Sequence, residues 1–277
     1  MTTIPQLTMN DGRTIPQLGF GVFQIPQDET ETAVTTALEA GYRLIDTAQG
    51  YRNEEGVGAA IAAAGIPRDE LFITTKLTNS EQGYDTTLAA FDASMAKLGL
   101  DVLDLFLVHW PLPMFDQYVD TWRAFEKLQA DGRIRSIGVS NFEPEHFERL
   151  FAETSVVPAV NQVELHPQFP QAELRAYHEA HGILTESWGP IGQGKGLLED
   201  ERIQAVARAK GRTPAQVVLR WHLQLGLVVI PKSVNPDRIR ENLDVVDFEL
   251  DEDDLAAIAQ VETGERLGPD PKTFAMR

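Results

Sequence analysis

Apolar residues in this chain gather in short runs that recur at regular intervals. Eight such runs, rich in Val, Ile and Leu, occupy 18–23, 43–48, 71–76, 103–110, 134–141, 159–165, 182–188 and 227–233. Most are apolar almost throughout, the pattern of a strand covered on both faces rather than one alternating toward water. Between them lie longer segments with helical spacing, at 28–40, 54–64, 85–98, 118–130, 144–151, 171–180 and 236–243. Two more, 201–210 and 214–225, precede the last run. Segment 28–40 opens on Asp, Glu and Thr and stops before Gly41, as helix start and stop signals require. Ahead of the first run, LTMN-DG-RTIP predicts a hairpin within residues 1–16, turning at Asp11-Gly12.

Strands alternating with helices predict a parallel sheet covered on its outer face. Eight units favour a closed α/β barrel, the (β/α)8 TIM barrel, over an open doubly wound sheet. The 277 residues suit one such barrel, expected as a single domain over 1–277 with no internal linker. Only the tail, 264–277, is expected to be loosely structured.

In this architecture chemistry gathers where strands run out into the βα loops. The second strand delivers Asp46, with Tyr51 in the loop beyond it, the third Lys76 and the fourth His109. An unpaired buried Asp or Lys is costly, whereas a pair tolerates burial. A lysine ammonium beside Tyr51 is expected to lower the phenol's pKa toward the range of a general acid, with Asp46 keeping the lysine charged. His109 could orient a carbonyl. Each residue alone reads more readily as a structural ion pair or hydrogen bonder; four on neighbouring strands at one barrel face favour the catalytic reading.

The fifth strand ends in Ser140 and Asn141, the sixth carries Gln162, and the seventh ends in Trp188. The three polar groups could hydrogen-bond an amide such as nicotinamide's, with the indole stacking on the ring. Lys232 and Ser233 close the eighth strand, and Arg238 follows in the first turn of a helix, with Asn242 one turn on. Basic side chains at a helix N-terminus make an anion site. The alternative is that they are ordinary solvated charges.

The overall charge sharpens that choice. With 24 basic and 42 acidic residues the formal net charge is −18, a surface that repels nucleic acid and anionic membranes. Any anion site must therefore be a local cluster. Cysteine is absent, which removes disulfides, thiolate catalysis and cysteine-bound zinc, and fits a cytoplasmic protein. The N-terminus lacks the basic and apolar regions of a secretion signal, and no run is long enough to span a bilayer. A strand–GxGxxG–helix fingerprint is missing too; the glycines of GQGKG (192–196) have the wrong spacing. A monomer is the expected state.

The same residues carry a family resemblance. GYRLIDTAQGYRNEEGVG (41–58), IRSIGVSNF (134–142) and IPKSVNPDRIREN (230–242) resemble, in order, the three signatures of the aldo-keto reductases. NQVELHP, ESWGPIGQGK and TPAQVVLRWHLQ are similar to the short bacterial 2,5-diketo-D-gluconate reductase-like members. The resemblance covers nearly the whole chain. It implies NADPH-dependent reduction of an aldehyde or ketone, among them a dicarbonyl or keto sugar acid, without a metal. Tyr51 would donate the proton, tuned by Lys76 and Asp46, with His109 orienting the carbonyl. Trp188 would stack on the nicotinamide, and Ser140, Asn141 and Gln162 would hold its carboxamide. Gly189 and Gln193 would lie along the pyrophosphate. Lys232, Ser233 and Arg238 would bind the 2′-phosphate and Asn242 the adenine.

There are departures. Thr78 stands where the family often has Trp, leaving Phe23 and Trp110 as the other pocket walls and predicting a wider pocket. Gln49-Gly50 replaces a small residue followed by a bulky one, and Gly50 is expected to loosen the approach of Tyr51. With a short loop after His109 and a brief tail, the substrate mouth should be open. Two rivals stand beside the reductase: a nicotinamide-binding sensor on the same barrel, and a Schiff-base aldolase using Lys76.

Overall fold

The structure, a computed structural model, describes residues 4–276; residues 1–3 of the predicted hairpin segment and residue 277 of the tail lie outside them. A short antiparallel hairpin, β1 (Gln6–Thr8) and β2 (Thr14–Pro16), precedes eight parallel strands. These are β3 (Phe20–Gly21), β4 (Leu44–Asp46), β5 (Phe72–Leu77), β6 (Leu103–Val108), β7 (Ile134–Ser140), β8 (Val160–Glu164), β9 (Leu184–Trp188) and β10 (Val228–Val229). They lie side by side in sequence order. A parallel bridge between Leu18 and Val229 joins the two edges, with Gly19 N donating to Val229 O at 2.9 Å and Gly21 N to Pro231 O at 3.1 Å. The result is a TIM-like α/β barrel. The first and last strands are shorter than their apolar runs, because closure uses these isolated bonds and Pro231 has no N–H to extend the ladder.

The helices are α1 (Gln27–Ala40), α2 (Glu54–Ala63), α3 (Tyr84–Leu98), α4 (Tyr118–Ala130), α5 (Pro144–Glu153), α6 (Ala172–Ala180), α7 (Glu201–Lys210), α8 (Pro214–Gln224), α9 (Pro236–Leu243) and α10 (Glu252–Ala259). Their ends follow local chemistry. Gly41 closes α1 at φ 119°. Thr213 and Gln216 cap each other's backbone at the start of α8, with Pro214 in its first turn. Sequence periodicity did not anticipate α10, although Asp251 and Asp254 form a reciprocal cap at its start. Among the described residues no helix is long and apolar enough to cross a membrane.

The hairpin turn differs from the two-residue loop expected at Asp11-Gly12. Thr8 pairs with Thr14, and Met9 N donates to Arg13 O at 2.8 Å, so three residues form the loop and Gly12 takes the left-handed position at φ 83°. This hairpin plugs the barrel floor. Met9 and Ile15 are buried in one cluster with Leu44, Leu105, Val160 and Val228, and Asp11 accepts a hydrogen bond from Ser136 Oγ at 2.6 Å.

Inside the barrel, glycines leave room for leucines. A Cβ at Gly19 would lie 2.5 Å from Leu44 Cγ, and one at Gly138 would lie 2.7 Å from both Leu107 Cδ2 and the Val160 carbonyl oxygen. A leucine tip can rotate away but a strand carbonyl cannot. Gly138→Ala should therefore cost about 1–3 kcal/mol, and more than Gly19→Ala. Urea unfolding of the two variants checks this, and equal stability of Gly138→Ala and wild type would contradict it.

Candidate active site

Four of the predicted side chains meet at the carboxyl end of the barrel. Asp46 closes β4, Lys76 lies in β5, His109 follows β6, and Tyr51 sits on a single 3-10 turn, Gln49–Tyr51. Asp46 and Lys76 are fully enclosed; Tyr51 and His109 are half-buried. The Lys76 ammonium has three hydrogens and three acceptors. It donates to Asp46 Oδ1 at 2.6 Å, to the Thr47 carbonyl at 2.9 Å and to the Tyr51 hydroxyl at 3.2 Å. Because the phenol oxygen accepts from Lys76, its own hydrogen is free to point into the pocket. The Tyr51 and His109 rings meet edge to face, 5.8 Å apart.

Electrostatics refines the expectation for Tyr51. Burial raises its pKa by more than the Lys76 ammonium lowers it, and Asp46 and Glu186 push the same way as burial. The phenol is therefore a firmly held proton rather than a half-ionised one, a correction to the lowered value expected from sequence. For Lys76, burial opposes the charge, yet Asp46 and Tyr51 hold its pKa above the ordinary value. A lysine kept cationic and fully hydrogen-bonded is no amine nucleophile, which removes the ground for the Schiff-base reading. Burial, reinforced by Lys76, brings His109 down to about 3, so its ring is neutral and offers one N–H.

The remaining predicted polar groups are already wired together. Gln162 Nε2 donates to Asp46 Oδ2 at 2.9 Å and Ser140 Oγ to the Gln162 carbonyl at 2.8 Å. Asn141, left-handed at φ 63°, donates to the His109 carbonyl and to Ser140 Oγ, and accepts from Trp188 Nε1 at 2.8 Å. Trp188 is thereby fixed by its indole N–H and half-exposed. Beyond it, half-buried Gly189 adopts φ 62° and exposed Gln193 φ 51°.

On the far side of the mouth, Lys232 and Arg238 are exposed and enter no ion pair among the described residues. Ser233 Oγ accepts from Asn235 N, and Asn235 caps α9 through the amides of Asp237 and Arg238. Asn242 is 4% exposed and its side chain makes no hydrogen bond among the described residues. Two unpaired cations and an amide with no protein partner suit a phosphorylated adenosine. Among the described residues no group of His, Cys, Asp and Glu could hold a metal ion.

The pocket walls depart from expectation. Phe23 packs on Tyr51 with ring centroids 5.0 Å apart, and Thr78 lines the Tyr51 turn. Trp110 is buried beneath Phe274, centroids 4.3 Å apart, and Asn79 donates to the Met276 carbonyl at 2.8 Å. The tail is thus neither loose nor clear of the mouth. Glu164 accepts from the amides of Leu267 and Gly268, Arg266 pairs with Glu143, and Gly268 packs on the edge of Trp188. Burial would raise the Glu164 pKa, but the bonds from His166 and the two tail amides keep it below the ordinary range. The correction has a plain cause: the tail's backbone amides find a buried carboxylate, which periodicity cannot reveal.

Sequence reasoning also missed Glu186. It lies two residues before Trp188 on β9, so strand alternation turns it inward, and that spacing was the available signal. It is fully buried and neither carboxyl oxygen has a hydrogen-bond partner. Burial, with Asp46 nearby, raises it to about 8. One ammonium cannot balance two enclosed carboxylates, so the second keeps its proton.

Comparisons with known proteins agree on one family. The family model described as Aldo/keto reductase family matches residues 17–263. An aldo-keto reductase of Mycolicibacterium smegmatis is 61% identical over 270 residues, covering 98% of each chain. Methylglyoxal reductase DkgA of Escherichia coli is 52% identical over 269 residues, 97% of each chain. The crystal structure of a Gox0644 mutant in complex with NADPH matches with a TM-score of 0.95 and 53% identity, covering 99% of each chain.

Glu186 makes the fold's stability depend on pH. An ordinary glutamate loses its proton near 4.5, whereas the folded state holds this one to about 8. Between those values the folded protein binds the extra proton, so this contribution to stability falls as pH rises. Glu186→Gln, neutral and isosteric, should gain on wild type as pH rises from about 5 to about 8 in paired thermal melts. Parallel curves for the two proteins would rule the protonated acid out.

Proposed function

The chain belongs to the aldo/keto reductase family, and on that premise we propose that it is an NADPH-dependent carbonyl reductase whose proton donor is Tyr51. The observation that carries this reading is the sense of the Lys76–Tyr51 hydrogen bond. The ammonium donates to the phenol oxygen at 3.2 Å, so the phenol hydrogen is left for a substrate oxygen. When that proton leaves, the phenolate forms beside a cation already in place, and no dipoles need to reorganise. Asp46 holds the ammonium, and Gln162 holds Asp46. Neutral His109 offers its N–H to the same carbonyl oxygen and orients it over the site. NADPH, when bound, supplies the hydride.

The cofactor contacts are read from the exposed cations and the polar groups at the barrel mouth. Lys232 and Arg238, with Ser233, would hold the 2′-phosphate, and Asn242 would meet the adenine. Gly189 and Gln193 would border the pyrophosphate. Trp188 would stack on the nicotinamide, whose carboxamide would meet Ser140, Asn141 and the side-chain amide oxygen of Gln162. The whole chain is read as one barrel domain carrying this site.

For the substrate, the tail argues for a small carbonyl. Phe274 over Trp110 and Met276 on Asn79 narrow the space beside Thr78 that a missing indole would open. The relative named methylglyoxal reductase points the same way, toward a short dicarbonyl.

Two measurements test the reading. Tyr51→Phe should lower the rate of methylglyoxal reduction about 1000-fold while NADPH binding, followed by nicotinamide fluorescence, stays within about twofold. A variant retaining a tenth or more of the activity would exclude Tyr51 as the donor. Lys232→Ala and Arg238→Ala should each weaken NADPH about tenfold or more and leave NADH nearly unchanged. Equal losses for both cofactors would place the 2′-phosphate elsewhere.

A further inference from the structure

The turn that presents Tyr51 has little backbone support of its own. Tyr51 N bonds to the Ala48 carbonyl and Arg52 N to the Gln49 carbonyl, both local, and Gly50 lies between. A Cβ at Gly50 would meet only Thr78 Oγ1, at 3.7 Å, so crowding does not hold this glycine either. One side of the turn is secured by Asn53, which donates to the carbonyls of Val22 and Ile25 and accepts from Thr47 Oγ1. That ties Tyr51 toward β3. The lysine it must meet is on the other side.

There the tie is Gln49. Its Nε2 donates to the Ala90 carbonyl at 2.7 Å and to Ser94 Oγ at 2.8 Å, two sites one turn apart on α3. Its Oε1 accepts from the Thr78 amide at 2.9 Å, just past the end of β5. The network continues: Ser94 Oγ donates to Glu54 Oε1 at 2.8 Å, and Thr75 Oγ1 donates to the same oxygen at 2.7 Å. Thr75 is the residue beside Lys76. One polar web therefore grips the tyrosine's turn and the lysine's strand together, against α3.

We propose that Gln49 is a positioning residue that sets the separation of Tyr51 from Lys76, compensating for the freedom Gly50 gives the turn. This rests on the reading of Tyr51 as proton donor. Gln49 touches neither Tyr51 nor Lys76 through its side chain, and acts by fixing the two backbones that carry them. Glutamine suits the task because it alone supplies two donors and an acceptor at that reach; the approach is loosened by Gly50 only when Gln49 is absent.

The test uses the full chain with NADPH bound and methylglyoxal as the carbonyl. Gln49→Met keeps the volume and loses every bond. Its single-turnover rate of NADPH oxidation should fall about tenfold, with KM for methylglyoxal and Kd for NADPH within about twofold of wild type. Ser94→Ala, which takes one acceptor from Gln49 and a donor from Glu54, should fall about threefold and serves if Gln49→Met does not fold. A merely structural role would lower the melting temperature and leave the rate per folded molecule unchanged, and that result overturns the proposal. So does a rate loss matched by equal losses in KM or Kd, which reports a general loosening of the pocket. A Tyr51→Phe variant that keeps a tenth or more of the wild-type rate sinks the Tyr51 reading, and this proposal with it; a wild type that turns over while Gln49→Met keeps pace sinks the brace alone.

Discussion

A unit charge sits inside the barrel, closed off from the protein surface, and much of the upper barrel is arranged about that fact. Each unmatched hydrogen on the Lys76 ammonium would carry a cost there. Strand register supplies the match. Asp46 pairs with Thr74 across the β4–β5 ladder, which sets the carboxylate a short reach from the lysine two residues on. Gln162 then takes the second Asp46 oxygen, and the third ammonium hydrogen is left for the phenol. Chemistry and folding therefore share one bond set: what makes the charge tolerable also orients the proton.

The limit of that arrangement is equally instructive. With one ammonium available, the enclosed site supports one carboxylate, and Glu186 is the surplus acid. It is neutral for the same reason that Asp46 is paired. The two acids have the same chemistry and different partners, decided by which strand faces the lysine.

Much of this was legible in the sequence, and the exceptions have causes. Period and length of the apolar runs located eight strands, because a strand covered on both faces has no polar alternation to confuse. Listing what each strand delivers at its carboxyl end brought Asp46, Lys76 and His109 together, with Tyr51 from the adjoining turn. What failed was anything depending on side chains meeting across loops. Gln49 looked like a departure beside a flexible glycine; its three partners belong to α3 and to the exit of β5, remote in sequence and invisible to spacing. The Tyr51 pKa was misjudged because pairing with Lys76 could be foreseen but the weight of burial could not. The tail escaped the pattern because its anchors, the Leu267 and Gly268 amides on Glu164, Arg266 on Glu143 and Phe274 on Trp110, join residues remote in sequence and carry no periodic signal. The hairpin was found while its loop length was missed by one residue, since Gly12 fits either turn.

The hairpin and the tail lie at opposite poles of the barrel. The hairpin closes the floor, with Met9 and Ile15 among the inward residues of the lower strands, while the tail crosses the mouth, where Asn79 donates to the Met276 carbonyl. An affinity tag or fused partner at the carboxyl terminus would hang directly over the pocket and pull on the segment that roofs Trp110. The same attachment at the amino terminus would sit a full barrel height away.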